Sequence, residues 1–181
     1  MTLKFRGKYR IASLRLKNWD YASNGIYFVT INTKNRKNFF GEITDSKMIL
    51  SPAGKICNAC LMAIPEHFEF VKLPYFVVMP NHLHAILIIK QCGSEKKKSI
   101  LLRIPKVPEK VNMEMSVIAP KAGSLSVIVR SLKSAVSKQA HVINPKFQWQ
   151  PGFYERIVRD HQAYLNIANY IEANIKKWKG K

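Results

Sequence analysis

The chain has 181 residues, and 30 lysines and arginines against 11 aspartates and glutamates give it a formal net charge of +19. With 47% hydrophobic and 10% aromatic residues it can bury a core, which excludes a disordered basic tail as the source of the charge. The length fits one domain. Such a charge indicates nucleic acid or another polyanion as the partner, because lysines and arginines that neutralise phosphates release condensed counterions. Charge alone leaves an acidic substrate or a membrane surface open.

The cysteines and the hydropathy of the chain point to a reduced compartment. Cys57, Cys60 and Cys92 are an odd number for a disulfide framework, and the first residues have no signal-peptide pattern. The longest purely aliphatic run, residues 85–89, falls far short of the roughly 20 residues that a membrane-spanning helix needs. We therefore expect a cytoplasmic protein with no membrane segment.

The amino-terminal part of the chain combines a basic segment with predicted strands. Residues 1–18 include Arg6 and Arg10 and no acidic residue, so they form either an arm that lies on a polyanion or a solvated basic face. Gly25 precedes segment 26–33, which is rich in β-branched and aromatic residues and therefore predicts a well-buried strand. After a polar connection, a second short strand is predicted at 47–50.

A helix is predicted next. Ser51 fits the N-cap and Pro52 the first helical position, apolar residues follow at helical spacing, and Pro65 marks the end. This spacing puts Cys57 and Cys60 on the packing face of the helix. A zinc or redox pair would need further ligands at matched spacing, so we interpret this CxxC as core packing.

Two apolar extended segments, 70–79 and 83–89, are joined by Pro80 and Asn81, which favour turns. They predict an antiparallel hairpin at the centre of one sheet. The composition then changes at 92–123, which holds seven lysines and arginines, three prolines and no clear period. We interpret that stretch as a basic flexible insertion rather than a second domain.

The carboxyl-terminal part predicts two amphipathic helices. Ser124 can cap a helix that begins at Leu125, in which an apolar stripe is accompanied by a cationic side with Arg130 and Lys133. A turn and an aromatic cluster follow. A last helix is then predicted at about 161–178.

The segment MPNHLHAILII holds the first group of candidate functional residues. His82 and His84 are two residues apart in a strand, so the period of 2 sends both imidazoles to one face. Two nitrogen ligands on one face are the start of a metal site. The alternative is a pair of hydrogen-bonded structural residues. Their place in an apolar strand favours a partner, because an unpaired polar side chain there would be costly.

The last predicted helix holds the second group. Tyr170 and Asn174 are four residues apart and therefore project from one helix face, which suits a nucleophile beside a metal ligand. The alternative is that the tyrosine packs in the core or at its boundary. A neutral tyrosine, with an ordinary pKa near 10, is a poor nucleophile until a cation or a base assists its deprotonation.

Four segments together resemble one known family. They cover nearly the whole chain except the basic insertion: KYRIASLRLKNWDYASNGIYFVTINTKNR, MPNHLHAILII, VRSLKSAVSK and FQWQPGFYERIVRDHQAYLNIANYIEANIKKW. In their order and spacing they resemble the REP-associated tyrosine transposases, which are single-tyrosine HUH transposases. The resemblance implies one α+β domain over residues 1–181, a ferredoxin-like or RRM-like palm with a mostly antiparallel sheet of four or five strands and helices packed on one face.

Carried over to this chain, the resemblance makes His82 and His84 ligands of Mg²⁺ or Mn²⁺, Tyr170 the nucleophile and Asn174 the third ligand. The family commonly follows this asparagine with proline. Here Ile175 follows instead, so we expect the helix to continue.

Two other tyrosines compete for the role of nucleophile. Tyr164 precedes Tyr170 by six residues and therefore lies about 120° away around the helix. Tyr154 belongs to the aromatic turn. Neither pairs with Asn174 as well as Tyr170 does.

The implied activity is metal-dependent cleavage and rejoining of single-stranded DNA through a 5′-phosphotyrosine, on small REP-like hairpins, by a monomer or a homodimer. The aromatic residues Trp149, Phe153 and Tyr154 could stack on unpaired bases, although packing in the core is the favoured alternative. Two other functions stay open: a non-catalytic nucleic-acid-binding module, and a metal-dependent phosphodiesterase that activates water. Cationic residues are expected to contact the DNA backbone, and the candidates are Arg6, Arg10, Arg36, Arg130, Lys133, Arg156 and Arg159.

Overall fold

The computed structural model describes residues 19–91 and 121–178, together with the backbone of 4–5 and 8–9. Eight strands are found in these parts: β1 Lys4–Phe5, β2 Lys8–Tyr9, β3 Gly25–Asn32, β4 Gly41–Thr44, β5 Lys47–Leu50, β6 Val71–Met79, β7 His82–Ile89 and β8 Tyr154–Val158. The helices there are α1 Pro52–Met62, α2 Ile64–His67, α3 Leu125–Ile143 and α4 His161–Ala173, with a 3-10 turn at Lys34–Arg36.

The core of the molecule is a four-stranded sheet in the order β6-β7-β3-β8. Every neighbouring pair in it is antiparallel. The predicted hairpin is confirmed as β6 and β7, and the predicted buried strand is confirmed as β3. The predicted short strand is β5, which pairs with β4 in a separate two-stranded sheet.

Residues opposite one another in antiparallel strands share a face of the sheet. On one face, Leu83 lies opposite Ile31, and Ala85 lies opposite Val29. This face packs against α1 and α3 in the larger of two hydrophobic clusters. Its fully buried large side chains include Tyr27, Phe40, Leu61, Leu87, Ile128 and Phe147.

The other face is only partly covered. Phe28 and Ile86 lie opposite one another there and pack against Ile167 and Ile171 of α4. The predicted α+β fold, with a mostly antiparallel sheet and helices packed on one face, is confirmed. The packed helices are α1 and α3, and α4 in addition covers part of the opposite face, which leaves the rest of that face accessible.

The first helix begins as predicted. The Ser51 hydroxyl accepts a hydrogen bond from the Gly54 N–H at 3.1 Å, and Pro52 follows the cap. A side chain at Gly54 would not fit, because a Cβ there would lie 2.1 Å from the Phe40 carbonyl oxygen. The helix ends at Met62, before Pro65, which lies in the first turn of the short α2.

The predicted cap of helix α3 is confirmed only in part. Ser124 occupies the N-cap of α3, and its backbone carbonyl accepts from the N–H groups of Val127 and Ile128. Its hydroxyl makes no capping bond and has no hydrogen-bond partner within the described residues. The apolar stripe of α3 is buried as predicted.

Two elements near the carboxyl end differ from expectation. Tyr154 was predicted to lie in an aromatic turn. It is instead the first residue of β8, an edge strand that pairs with β3. The last helix was predicted too long, because α4 ends at Ala173 and Asn174 is its C-cap. The chain nevertheless stays helical for one turn, since Asn174 has φ −61° and ψ −44° and the Lys177 N–H donates to the Ala173 carbonyl at 3.1 Å.

Some sequence predictions fall outside the described residues. These are Arg6, Arg10 and residues 92–120 of the predicted insertion. In the part of the chain that is described, no helix is both long and apolar enough to cross a membrane.

Candidate active site

The two histidines lie on the partly covered face of the sheet. His82 is the first residue of β7 and is paired with Asn32, while His84 is paired with Thr30. The period of the strand therefore brings both imidazoles to the same face, as the sequence predicted. Their rings are 4.6 Å apart between centroids and are inclined by 74°.

Each imidazole is held through its Nδ1 atom. His82 Nδ1 lies 2.7 Å from Asn81 Oδ1, and His84 Nδ1 lies 2.8 Å from the hydroxyl of Thr30. The two Nε2 atoms point toward one another at 3.1 Å. Asn81 is itself buried, and its carbonyl accepts from both the N–H and the hydroxyl of Thr33 at 2.9 Å.

Burial keeps both imidazoles neutral near pH 7. It lowers the pKa of His82 to about 4, with the positive charge of Arg36 as a second cause. It lowers the pKa of His84 to about 3, with His82 as the second cause. A neutral imidazole is the form that binds a metal ion.

Tyr170 reaches the histidines from α4. Its hydroxyl lies 3.3 Å from His84 Nε2, and its ring lies 5.3 Å from the His84 ring. Phe28 supports both, since it stacks on His84 and meets the Tyr170 ring edge-on at 6.2 Å. The Tyr170 side chain is still 46% exposed, so a large substrate can approach it.

The two competing tyrosines lie on the same face of the sheet. Tyr164 packs edge-on against Tyr75 at 6.0 Å, and burial raises its pKa. Tyr154 borders the same cleft as Tyr170 and is 54% exposed. The structure brings Tyr170, rather than Tyr164, next to the histidine pair.

A cleft of about 650 Å³ opens over these residues. Asn174 is buried in its wall and makes no side-chain hydrogen bond to any described residue. Trp178 packs against the His82 ring at 5.7 Å. The cleft is lined by Thr30, Asn32, Arg36, Asn81, His82, His84, Tyr154, Tyr170, Asn174, Lys177 and Trp178.

The cleft holds nitrogen and oxygen donors that could bind a divalent cation. Across residues 19–91 and 121–178 there is no group of three His, Cys, Asp or Glu side chains that could hold a metal ion. The available ligands are two converging imidazole nitrogens and the amide oxygen of Asn174. Three such donors would leave coordination positions of a divalent cation open for a phosphate.

The cationic candidates divide into two groups. Arg36 is exposed at the cleft, while Arg156 and Arg159 line a second pocket of about 340 Å³ beside the start of α4. Arg156 is paired with Phe28 and therefore lies on the same face as the histidines. Lys177, which also lines the cleft, was not predicted from the sequence, because nothing marks it among the lysines of the last segment.

Arg130 and Lys133 belong to α3, on the other side of the sheet. Arg130 is exposed, but the ammonium group of Lys133 donates to the carbonyls of Gln150 and Gly152 at 2.8 and 2.9 Å. Lys133 also lies 5.9 Å from the centre of the Trp149 ring. Lys133 thus stabilises the loop at 150–152 and does not lie near the histidines.

The CxxC pair is part of the core, as predicted. Cys57 is fully buried, and burial raises the pKa of its thiol far above the ordinary range. Burial also raises the pKa of the Cys60 thiol, whose sulfur accepts from the Gln139 amide at 3.5 Å. Thiols that stay protonated are poor nucleophiles and poor metal ligands.

The fold and the cleft together define an α+β protein with a paired-histidine and tyrosine site on one face of an antiparallel sheet. The chain belongs to the same family as an uncharacterized protein of Haemophilus influenzae, to which it is 36% identical over 181 residues, 98% of this chain and 96% of that relative. No model of a known protein family matches the sequence.

Solved structures with a similar fold include a REP-associated tyrosine transposase bound to a REP hairpin. It superposes with a TM-score of 0.56 at 18% identity, over 93% of this chain and 81% of that chain. At this identity the likeness establishes the fold. A candidate transposase from Deinococcus radiodurans superposes at 17% identity over 87% of this chain and 96% of that chain. Its TM-score of 0.43 is too low to support an inference.

Proposed function

We propose that the protein is a metal-dependent, transposase-like endonuclease that cleaves and rejoins single-stranded DNA through a 5′-phosphotyrosine on Tyr170. The observation that carries this proposal is the 3.3 Å distance between the Tyr170 hydroxyl and His84 Nε2. A nucleophile candidate and a metal-ligand candidate from distant parts of the chain thus meet in one open cleft. A purely structural role would not require the phenol to be 46% exposed beside two neutral imidazoles.

His82, His84 and Asn174 would hold Mg²⁺ or Mn²⁺. When bound, such an ion would polarise the scissile phosphate and offset the charge that develops on its oxygens. Arg36 lies at the same cleft, and its charge adds to the positive potential around His82. A phosphodiester would therefore be drawn to the part of the cleft that holds His82.

Tyr170 would attack the phosphorus in line with the departing oxygen. A bond forms between the phenolic oxygen and phosphorus, the bond from phosphorus to the 3′ oxygen breaks, and the phenolic proton is lost. The 3′ oxygen takes up a proton and leaves as a hydroxyl group. Because the phosphate ester is conserved as a phosphotyrosine, another 3′-hydroxyl can reverse the step and join a new strand.

The substrate that we propose is a single strand with a small hairpin. The structural relative of similar fold is bound to a REP hairpin. On this chain, exposed cations and aromatic rings at the cleft suit an unpaired strand, because rings stack on bases and cations contact phosphates. These groups are Arg36, Tyr154, Lys177 and Trp178.

The test is a cleavage reaction with a pool of hairpin oligonucleotides that have randomised single-stranded flanks and a label at the 3′ end. With Mg²⁺ or Mn²⁺, we expect a labelled fragment that migrates with the protein on a denaturing gel. Tyr170→Phe should abolish this adduct, whereas Tyr164→Phe, a matched change on the same helix, should leave it. An adduct that persists in Tyr170→Phe would overturn the assignment.

The same reaction separates the alternative functions. A phosphodiesterase that activates water would cleave with metal but leave no adduct. A non-catalytic binding module would retain the DNA, with or without chelator, and cut nothing. Loss of the adduct in His82→Ala or His84→Ala, with DNA binding kept, would place the histidines in the chemistry and not merely in the fold.

A further inference from the structure

A cavity of about 570 Å³, here called the α3 pocket, lies between helix α3 and residues 149–153. Helix α3 packs on the face of the sheet opposite the histidines, and the α3 pocket shares no lining residue with the catalytic cleft. Its volume is within the range of sites for small ligands, about 300–1,000 Å³. The residues that line it include Arg130, Lys133, Ser134, Ser137, Trp149 and Phe153.

The wall of the α3 pocket opposite the helix is held in place from two sides. The Lys133 ammonium group donates to the carbonyls of Gln150 and Gly152. The Trp149 indole N–H donates in turn to the Lys133 carbonyl at 3.1 Å. On the side of the sheet, the Gln150 N–H donates to the Asn32 carbonyl at 2.9 Å. A wall that is fixed in this way loses little conformational freedom when a ligand binds.

The lining combines aromatic rings with a cation and hydroxyl groups. Trp149 and Phe153 are half-buried, and both pack in part against the larger hydrophobic cluster, so their rings are held in place. Arg130 is exposed, and its charge is not engaged by any described residue. Ser134 and Ser137 follow it at helical spacing on the same side of α3. None of the described lining residues is acidic. These groups suit a ligand with a flat ring and a negative charge.

The α3 pocket and the catalytic cleft meet at the edge strand β8. Phe153 lines the α3 pocket, and the next residue, Tyr154, lines the cleft. Consecutive side chains of an extended chain point to opposite faces of a sheet. Among the described residues no strand pairs with the outer edge of β8. A flexible polymer can therefore pass around this edge from the cleft to the α3 pocket.

We propose that the α3 pocket binds one unpaired nucleotide of the single strand whose scissile phosphate lies in the cleft. The base stacks on Phe153 beside Trp149, and a phosphate contacts the Arg130 guanidinium group. The hydroxyl groups of Ser134 and Ser137 bind the edge of the base, since a hydroxyl both donates and accepts. This inference rests on the proposed function, because it takes single-stranded DNA as the ligand.

The test measures the affinity for labelled oligo(dT) by fluorescence anisotropy. Arg130→Gln should weaken binding and reduce the slope of log affinity against log salt by about 0.7, the value for one phosphate contact on a single strand. Lys138→Gln removes the same charge from an exposed position of α3 outside the pocket and should change neither quantity. Phe153→Leu keeps an apolar side chain but removes the ring, and should weaken binding by about 5–150-fold, the effect of one stacked base.

Thermal unfolding shows whether each variant is folded, and Arg130→Gln decides the matter if Phe153→Leu is not. Photo-crosslinking gives a second measurement. Oligo(dT) that carries 5-iodouracil should crosslink to Trp149 or Phe153 as well as to residues of the cleft, and mass spectrometry of the peptides identifies the sites.

A free nucleotide presents the same base and phosphate as the strand. Thymidine 5′-monophosphate should bind about 100-fold or more weakly than oligo(dT), because only the strand can occupy the α3 pocket and the cleft together. Equal affinities would assign the pocket to a free nucleotide and overturn the proposal.

The outcomes distinguish this inference from the proposed function. If the natural protein does not bind oligo(dT), the DNA part of the proposed function fails and the role of the α3 pocket fails with it. If Arg130→Gln binds as Lys138→Gln does, or if all crosslinks lie in the cleft, only the role of the α3 pocket is overturned. If no adduct forms on Tyr170 but Arg130→Gln binds more weakly and Phe153 or Trp149 is crosslinked, the cleavage reaction fails and the pocket stands.

Discussion

The hydroxyl of Tyr170 lies 3.3 Å from Nε2 of His84, although the two residues are 86 positions apart in the chain. One comes from a helix and the other from the strand beneath it. The fold of the chain therefore brings the nucleophile candidate next to the histidine pair.

The histidine pair predicts how stability depends on pH. In the folded protein the pKa of His82 is lowered to about 4 and that of His84 to about 3, from an ordinary 6.5. Below pH 6.5 the unfolded chain therefore binds more protons, so the free energy of unfolding should fall as the pH falls toward about 4. Between pH 7 and about pH 4.5 we expect the free energy of unfolding to fall by at least the equivalent of one pKa unit, about 1.4 kcal/mol.

Urea unfolding at pH 7 and at pH 4.5 measures this loss. In His82→Gln/His84→Gln the difference between the two pH values should shrink. His161→Gln, which removes an exposed histidine, should leave it unchanged. An equal loss in the double variant and in the natural protein would show that other groups cause it.

Arg156 should contact a phosphate of the single strand. It is exposed on the edge strand β8, on the face that holds the histidines. Arg156→Gln should weaken DNA binding and reduce the slope of log affinity against log salt by about 0.7, the value for one phosphate contact on a single strand. Lys138→Gln removes the same charge from α3 on the other side of the sheet, and fluorescence anisotropy should find its slope unchanged.

Tyr154 should stack on a base at the cleft. Its side chain is more than half exposed there, and it is paired with Thr30 on the neighbouring strand β3. Tyr154→Ala should cost about 1–3 kcal/mol of DNA binding, the range for one stacked base. Tyr154→Phe keeps the ring and should preserve both the affinity and the covalent adduct. A loss of the adduct in Tyr154→Phe would make Tyr154 the nucleophile instead.

Lys133 should matter more for stability than for DNA. Its two hydrogen bonds to the carbonyls of Gln150 and Gly152 hold a loop next to β8, and its ammonium group is half buried. Lys133→Met should lower the free energy of unfolding by about 1–2 kcal/mol, because hydrogen bonds from charged donors are among the stronger ones. The salt dependence of DNA binding should stay as it is. If Lys133→Met instead reduced the salt dependence of DNA binding and left the free energy of unfolding unchanged, Lys133 would belong to the DNA interface.

Local periodicity correctly predicted the faces on which the candidate site residues lie. The period of 2 in a strand put His82 and His84 on one face, and helical spacing separated Tyr170 from Tyr164. Both rules act within a few residues, so one sequence suffices to apply them. The packing of Cys57 followed from the same helical rule.

The surroundings of the site could not be predicted in this way. Thr30 contacts His84 only because β3 pairs with β7 in a particular register. The register between two strands that are distant in the chain cannot be predicted from either segment alone. The strand at 154–158 was missed because an edge strand with charged residues lacks a clean apolar alternation. The role of Lys133 could not be predicted, because its partners, the carbonyls of Gln150 and Gly152, lie in a loop that only the tertiary fold brings next to α3.

The turn between β6 and β7 has a consequence for how this protein can change during evolution. Leu83 and Ala85 point into the core while His82 and His84 point into the cleft, so one added or deleted residue between Met79 and His82 would exchange the two sets. The imidazoles would enter the hydrophobic cluster, and the aliphatic side chains would line the cleft. Pro80, whose carbonyl accepts from the Phe40 N–H at 2.9 Å, is thus part of the turn that sets on which face the two histidines lie.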